Sequence, residues 1–323
     1  MPVATLQISL APSDYSHAQL LLAHQVRAWQ GQYTELLITI DLHRSSGRFS
    51  TRWEEGRDKI VPLAQSIPGA RVVLVDYGDA AQTRVANEFF GGAKIPTKDF
   101  RGGPFYSYFF ALAEAQNNHV LHTDSDIFFG GGSATWLDEA ILHMAAHPAV
   151  LVAAPLSGPP RLDGRLITLL ARPDPTAAHA FFFDAMSTRV FLLNRARFKE
   201  RIGMLQLRRP SLRNTAIALL ERNPPRDLPE HLFTAEMAKR GMLRREFLGS
   251  GGGRWTLHPP FRCADFYEKL PSLIKQVEQE TIPDEQRGCH DFNASMVDWS
   301  EAYAGLAKNR LWRRLIVKYN LHA

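Results

Sequence analysis

The chain has 323 residues, 45% of them hydrophobic and 22% charged, with a formal net charge of +5 and a pI near 9.3. These proportions describe a globular chain long enough to bury a sizeable core in one large domain or two joined lobes, and they exclude extended disorder. The excess of positive charge suits an anionic partner without choosing among nucleic acid, an anionic membrane surface and an anionic small substrate.

No apolar run approaches the roughly 18 residues of a membrane span, and MPVATLQISLAPSDYS lacks the basic start and apolar core of a secretory signal. The expectation is a cytoplasmic protein. Its two cysteines, Cys263 and Cys289, are expected to stay reduced rather than to form a structural disulfide.

In chain order, residues 5–10 (TLQISL) alternate and are rich in β-formers. A helix follows, with Ser13, Asp14 or Ser16 as its cap. Residues 36–40 predict a second strand ending in Asp41, residues 53–66 a charged helix, and residues 71–75 a third strand ending in Asp76. Residues 80–90 and 105–115 read as helices, the second rich in aromatics, with a loop between them. Short apolar strands alternating with helices predict a mostly parallel, doubly wound α/β sheet covered on both faces. Ligands of such sheets gather at the carboxyl ends of the strands. Asp41 there is either a hydrogen-bonding group for a nucleobase or ribose or a cap for the next loop, and Asp76 has the same two readings.

Residues 117–132, NNHVLHTDSDIFFGGG, are the most informative stretch. The end of a buried strand leads into Asp124-Ser125-Asp126, and Ile127, Phe128 and Phe129 return the chain to apolar surroundings. Two carboxylates one residue apart are costly to bury unless a cation or hydrogen bonds hold them. A hard divalent metal with positions open to phosphate oxygens meets that need, and a solvated turn or helix cap is the alternative. Neither G-x-G-x-x-G after the first strand nor G-x-x-x-x-G-K-[ST] anywhere is present, so dinucleotide and P-loop nucleotide readings lack their phosphate loops.

Residues 136–146 predict a helix and residues 150–153 a strand. Residues 155–175, with five prolines and two glycines, read as a long excursion. Residues 188–193 predict a strand, with Asn194 capping the helix that follows. The arginine-rich segment 205–227 is either an acceptor-facing region or a helical insert with a solvated basic face. Residues 228–242, LPEHLFTAEMAKRGM, describe a helix with Glu230 at its amino end and Gly241 past its carboxyl end. A carboxylate at Glu230 is favoured by the helix dipole by about 0.3 to 1 kcal/mol whatever else it does. A short strand is expected to end at His258, after the glycine run 249–253. Cys289-His290-Asp291 has no partner motif and reads as structural.

Asp124-Ser125-Asp126 resembles the DxD motif of GT-A glycosyltransferases, where it sits between a nucleotide-sugar half and an acceptor half. The step of eleven residues from Glu230 to Gly241 is similar to that of inverting GT-A enzymes, including family 2 and β-1,4-galactosyltransferase-like proteins. Those enzymes hold a catalytic carboxylate at the start of such a helix. Here Pro229 stands where the first acid of their usual pair is found. His258 resembles the C-terminal histidine that many of them use as a metal ligand.

The resemblance implies a GT-A type fold, with a nucleotide-sugar lobe over residues 1–132 and an acceptor lobe over 133–323 fused in one domain. It implies Mn²⁺ or Mg²⁺ held by Asp126 and His258, with Asp124 either ligating or orienting the ribose, the donor sugar or a metal-bound water. Asp41, Asp76 and Asp124 would face the donor nucleotide, and Arg254 and Trp255 would close over it. Glu230 would be the base, with Asp227 and Glu236 as fallbacks. The expected partners are a nucleoside diphosphate sugar and a glycan, lipid-linked or small-molecule hydroxyl, with no nucleic acid. A basic C-terminal helix over residues 306–320 adds either peripheral membrane contact or a packed, solvated end. A retaining transferase and a non-catalytic nucleotide-sugar or glycan-binding protein remain as alternatives.

Overall fold

The computed structural model describes residues 3–45, 51–167 and 171–308. The first half alternates as its apolar runs predict: β1 (Ala4–Leu10), α1 (Tyr15–Ala28), β2 (Glu35–Ile40), α2 (Trp53–Gly56), α3 (Ile60–Gln65), β3 (Ala70–Leu74), α4 (Asp79–Phe90), α5 (Tyr106–Glu114) and β4 (His119–Asp124). The second half is less regular. It contains β5 (Phe128–Gly130), α6 (Trp136–Ala146), β6 (Val150–Ser157), β7 (Arg172–Pro173), β8 (Ala180–Phe183), β9 (Val190–Asn194), α7 (Arg195–Arg201), α8 (Leu212–Leu220), α9 (Pro229–Arg240), β10 (Leu243–Phe247), β11 (Trp255–Leu257), α10 (Ala264–Glu278) and α11 (Ser300–Lys308).

The strands form a mixed sheet in the order β3-β2-β1-β4-β9-β6-β10-β8-β7, with β11 and β5 branching from β6. β1 to β4 are mutually parallel, as are β6 and β10. β9 is antiparallel to both β4 and β6, and so joins the two parallel sets into one surface. This is the large, mostly parallel α/β sheet that the sequence predicts. Its strands are apolar on both sides because both faces are covered. Leu37 and Val120 point to the face packed by α4, α5 and α9, while Leu36, Ile38 and Leu121 point to that packed by α1, α3 and α6. A third cluster joins β5 and β11 to α10.

β1 lies between β2 and β4, so the chain winds outward one way and then returns to the other side of β1. The two loops leaving the carboxyl ends of β1 and β4 therefore part at this point. The crevice between such loops is where ligands of doubly wound sheets bind.

Two readings change. The helix expected over residues 53–66 is split into α2 and α3, and Gly56 at the break lies so close to Pro12 that a Cβ would come within 1.9 Å of its carbonyl oxygen. Pro155, Leu156 and Ser157 continue the buried strand β6 instead of opening an excursion. The basic helix expected over residues 306–320 lies outside the described residues from 309 onward. Among the described residues no helix is long and apolar enough to cross a membrane. Both cysteines are free and buried.

Candidate active site

Asp124 closes β4, and the turn after it is fastened from several sides. Asp124 N donates to the Arg189 carbonyl at 2.8 Å, and Gln25 of α1 donates to the carbonyls of Asp124 at 2.9 Å and Ile127 at 2.8 Å. Ser125 Oγ lies 3.0 Å from His17 Nε2. These bonds satisfy buried backbone groups that would otherwise be costly, and they aim the Asp126 carboxylate inward. Asp126 is buried. Its Oδ2 accepts from Arg262 Nη2 at 2.7 Å and Nε at 3.2 Å, and His258 Nε2 stands 3.6 Å away. Arg262 Nη1 also donates to Asp14 at 3.2 Å.

His258 arrives here because β11 pairs in parallel with the end of β6. Its Nδ1 lies 3.1 Å from Asp291 Oδ1, which also accepts from Arg189 Nη1 at 3.0 Å. The carboxylate fixes the ring, leaving Nε2 turned toward Asp126. Burial opposes ionisation of Asp126, but Arg262 and His258 outweigh it and hold the carboxyl below its usual range. Burial likewise opposes ionisation of Asp291, whose bond to His258, with His290 and Arg189 nearby, brings it to about 2. Asp14 goes the other way: burial, only partly offset by Arg262, pushes it up to about 6.

Pro229 opens α9 and Gly241 closes it at φ 62°, as the sequence predicts. Glu230 is half-buried in the first turn, and among the described residues its carboxylate has no hydrogen bond or ion pair. Tyr108 links it to the β4 turn. Burial and then the charges of Asp124 and Glu230 push the Tyr108 hydroxyl well above its ordinary pKa. That hydroxyl has no hydrogen-bond partner among the described residues. The fallback acids are engaged elsewhere. Asp227 Oδ1 accepts from Leu228 N at 2.9 Å and lies 2.7 Å from His231 Nδ1, while Glu236 pairs with Lys239 at 2.7 Å and with Arg240.

The remaining predicted residues divide. Asp41, at the end of β2, accepts from Lys98 Nζ at 2.9 Å, Tyr77 Oη at 3.0 Å and His43 N at 2.9 Å, so it is both a loop cap and part of a polar cluster. Asp76 is exposed and caps its own turn, accepting from Gly78 N at 2.7 Å. Asp124 is 44% exposed, with Oδ1 3.4 Å from His122 Nε2. Arg254 and Trp255 require correction, because neither is poised to close over a ligand. Arg254 is buried, donating to the carbonyls of Gly131 at 2.8 Å and Ser133 at 2.6 Å, and Trp255 fills the core against Gly130. Four residue steps of nearly extended chain carry Arg254 about 13 Å from His258 at the rise of a strand. The glycine run is fastened too: Ser250 N donates to Glu139 Oε2 of α6 at 3.1 Å.

Among the described residues no group of three or more histidine, cysteine or acidic side chains is gathered closely enough to hold a metal by itself. Two donors do face each other, Asp126 Oδ2 and His258 Nε2, with Asp291 behind the imidazole in the manner of a carboxylate supporting a metal-bound histidine. The same Asp126 Oδ2 is at present taken by the Arg262 guanidinium at 2.7 Å. Four further residues of the site were not assigned a role there from the sequence: His17, Arg189, Arg262 and Asp291. Arg262 stands four positions after His258 and Asp291 within the triplet read as structural, so proximity to a predicted ligand was the only available signal for Arg262.

No family model matches the chain, and no curated protein matches it. Among solved structures it is similar to S. aureus TarS 1–349 in complex with UDP-GlcNAc, at 11% identity over 84% of this chain and 65% of that one, with a TM-score of 0.39. The same protein in complex with UDP aligns at 13% identity over 88% and 68%, with a TM-score of 0.36. A mycobacterial protein aligns at 10% identity over 88% and 76%, with a TM-score of 0.34. The chain spans 60% of the length of TarS 1–349 without ligand and 41% of the longer TarS structure. Likenesses at these scores carry no weight for the activity of this chain.

Proposed function

We propose that the chain is a glycosyltransferase that moves a sugar from a nucleoside diphosphate donor to a hydroxyl, with inversion. The observation that carries this reading is the pairing of Asp126 with His258 and Arg262 at the crevice between β1 and β4; the Glu230 carboxylate, without a partner among the described residues, supplies the base in this reading. In this reading residues 1–132 form the donor lobe and residues 133–323 the acceptor lobe.

Each side chain has a definable task. Arg262 brings a guanidinium to the leaving diphosphate, exchanging its bond to Asp126 for bonds to phosphate oxygens. Asp126 and His258 would hold a divalent ion, which would supply positive charge against the negative charge that grows on the leaving group. Asp124, half exposed beside them, orients the ribose or the donor sugar. Asp41, with its Lys98 and Tyr77 partners, supports the nucleoside end. Glu230 accepts the proton of the attacking hydroxyl, a role worth roughly 10² to 10⁴ in rate. A base on the face opposite the leaving group gives a product of inverted configuration.

A thermal-shift panel of nucleoside diphosphates and their sugars, with and without Mn²⁺, tests this. At least one nucleotide should raise the melting temperature, and more with Mn²⁺ than without, while Mn²⁺ alone has little effect because two protein donors do not hold it tightly. Asp126→Ala should abolish the Mn²⁺-dependent part. A panel without any stabilising nucleotide would contradict the reading.

A further inference from the structure

We infer that the outer face of α8 is a docking surface for an anionic lipid bilayer. Leu212 is 90% exposed and Leu219 63%, and Ala216 between them is exposed as well. The spacing 212, 216, 219 puts all three on one side of the helix. Arg213 on α8, Arg208 and Arg209 just before it and Arg222 just after it are all exposed and in no ion pair among the described residues. From 204 to 226 there are five arginines and one acid, Glu221. Arginines flanking exposed leucines match the charge of an anionic headgroup layer and the apolar boundary beneath it. A soluble polyanion would use the arginines and leave the leucines in water, so the stripe favours the bilayer.

The surface is fixed to the body of the protein. Ala218 is buried on the inner side of α8, Asn223 Nδ2 donates to the Phe100 carbonyl at 3.3 Å, and Phe100 N donates to the Arg226 carbonyl at 2.8 Å. Asp227 N bonds the Arg208 carbonyl at 3.0 Å, and α9 with Glu230 begins two residues later. A bilayer seated on α8 therefore lies on the side from which the chain enters the Glu230 helix. Resting on the transferase reading for this one point, the acceptor is a hydroxyl of a lipid-linked molecule.

Cosedimentation of the full chain with vesicles tests the surface without donor or turnover, so its result is independent of whether sugar transfer occurs. The protein should bind vesicles of equal parts phosphatidylglycerol and phosphatidylcholine and not vesicles of phosphatidylcholine alone. Leu212→Glu with Leu219→Glu should lower the bound-to-free ratio by about tenfold or more, and Arg209→Glu with Arg213→Glu should do the same, with melting temperature and nucleotide binding unchanged. As a second readout, a nitroxide attached at Ala216→Cys should report a lipid environment on the anionic vesicles. Binding that survives the leucine substitutions overturns the inference, as does binding that follows only the arginines and is displaced by soluble polyphosphate. A label at position 216 that stays in water also overturns it.

Discussion

Glu230 differs from the other acids of its neighbourhood in having no partner among the described residues, whereas Asp227 and Glu236 are both engaged. It stands in the first turn of α9, where a carboxylate without a partner is placed to take a proton from an attacking hydroxyl. Glu230→Gln keeps the size and most of the hydrogen bonding but removes that capacity. Turnover should fall by about two to four orders of magnitude while nucleotide binding survives. Steady-state kinetics beside calorimetry checks it, and near wild-type turnover would reduce the residue to a helix cap. At this scale the sequence was informative where local spacing carries meaning: the acidic pair at 124 and 126, a histidine after a short strand, and a carboxylate at a helix start. It offered only proximity to His258 for Arg262 and nothing for Arg189 and Asp291, whose partners in the site are 136, 102 and 33 residues away in the chain. It also misassigned Arg254 and Trp255, because nothing local distinguishes a buried arginine bonded to carbonyls from one facing a ligand.

The end of β6 organises two elements of the site at once. Gly158 N donates to the Thr256 carbonyl of β11 at 2.9 Å, and Gly288 N donates to the Pro159 carbonyl at 2.8 Å. Gly158 has φ +99°, and a Cβ there would sit 2.4 Å from the Cys289 carbonyl oxygen. Glycine is required on both counts. Gly158→Ala should push the 288–291 segment away and loosen the Asp291 support of His258. We expect a loss of about 1 to 3 kcal/mol of stability together with weaker Mn²⁺-dependent nucleotide binding. Denaturant melts and the thermal-shift assay measure the two parts, and an unperturbed variant would show that the contact does not position His258. Elements of the first half were legible because their periodicity is strong and each strand is followed by its covering helix. The short strand expected before His258 is β11, whereas β5, three residues long, is too short for periodicity to register and is held by its pairing with β11.

For the whole molecule, buried histidines set the dependence on acidity. Burial lowers the pKa values of His17, His24, His119, His143 and His290, to about 4 for His143 and about 3 for His290. As pH falls below the ordinary histidine value of about 6.5, the unfolded chain takes up protons that the native state does not, so stability is lost. Asp14, raised to about 6, works in the opposite direction: the native state takes its proton first, which favours folding as pH falls. Glu246, also raised by burial, acts in the same direction, so two groups stand against five. Each fully shifted group is worth up to about 1.4 kcal/mol per pH unit, less for the half-buried His143. The melting temperature should therefore be several degrees lower at about pH 5 than at about pH 7, and an equal or higher value would contradict this balance. At this scale the doubly wound sheet was legible from alternating apolar strands and helices. The reversal of β9 was not, since strand direction is fixed by which neighbours a strand finds. The central claim, transfer from a nucleoside diphosphate sugar at the β4 turn, is tested most directly by following nucleoside diphosphate release from a panel of donors with wild type and Asp126→Ala in Mn²⁺. Release from at least one donor by wild type, lost in Asp126→Ala, is the predicted result. Release that is unchanged in the variant, or absent with every donor and acceptor hydroxyl supplied, would contradict it.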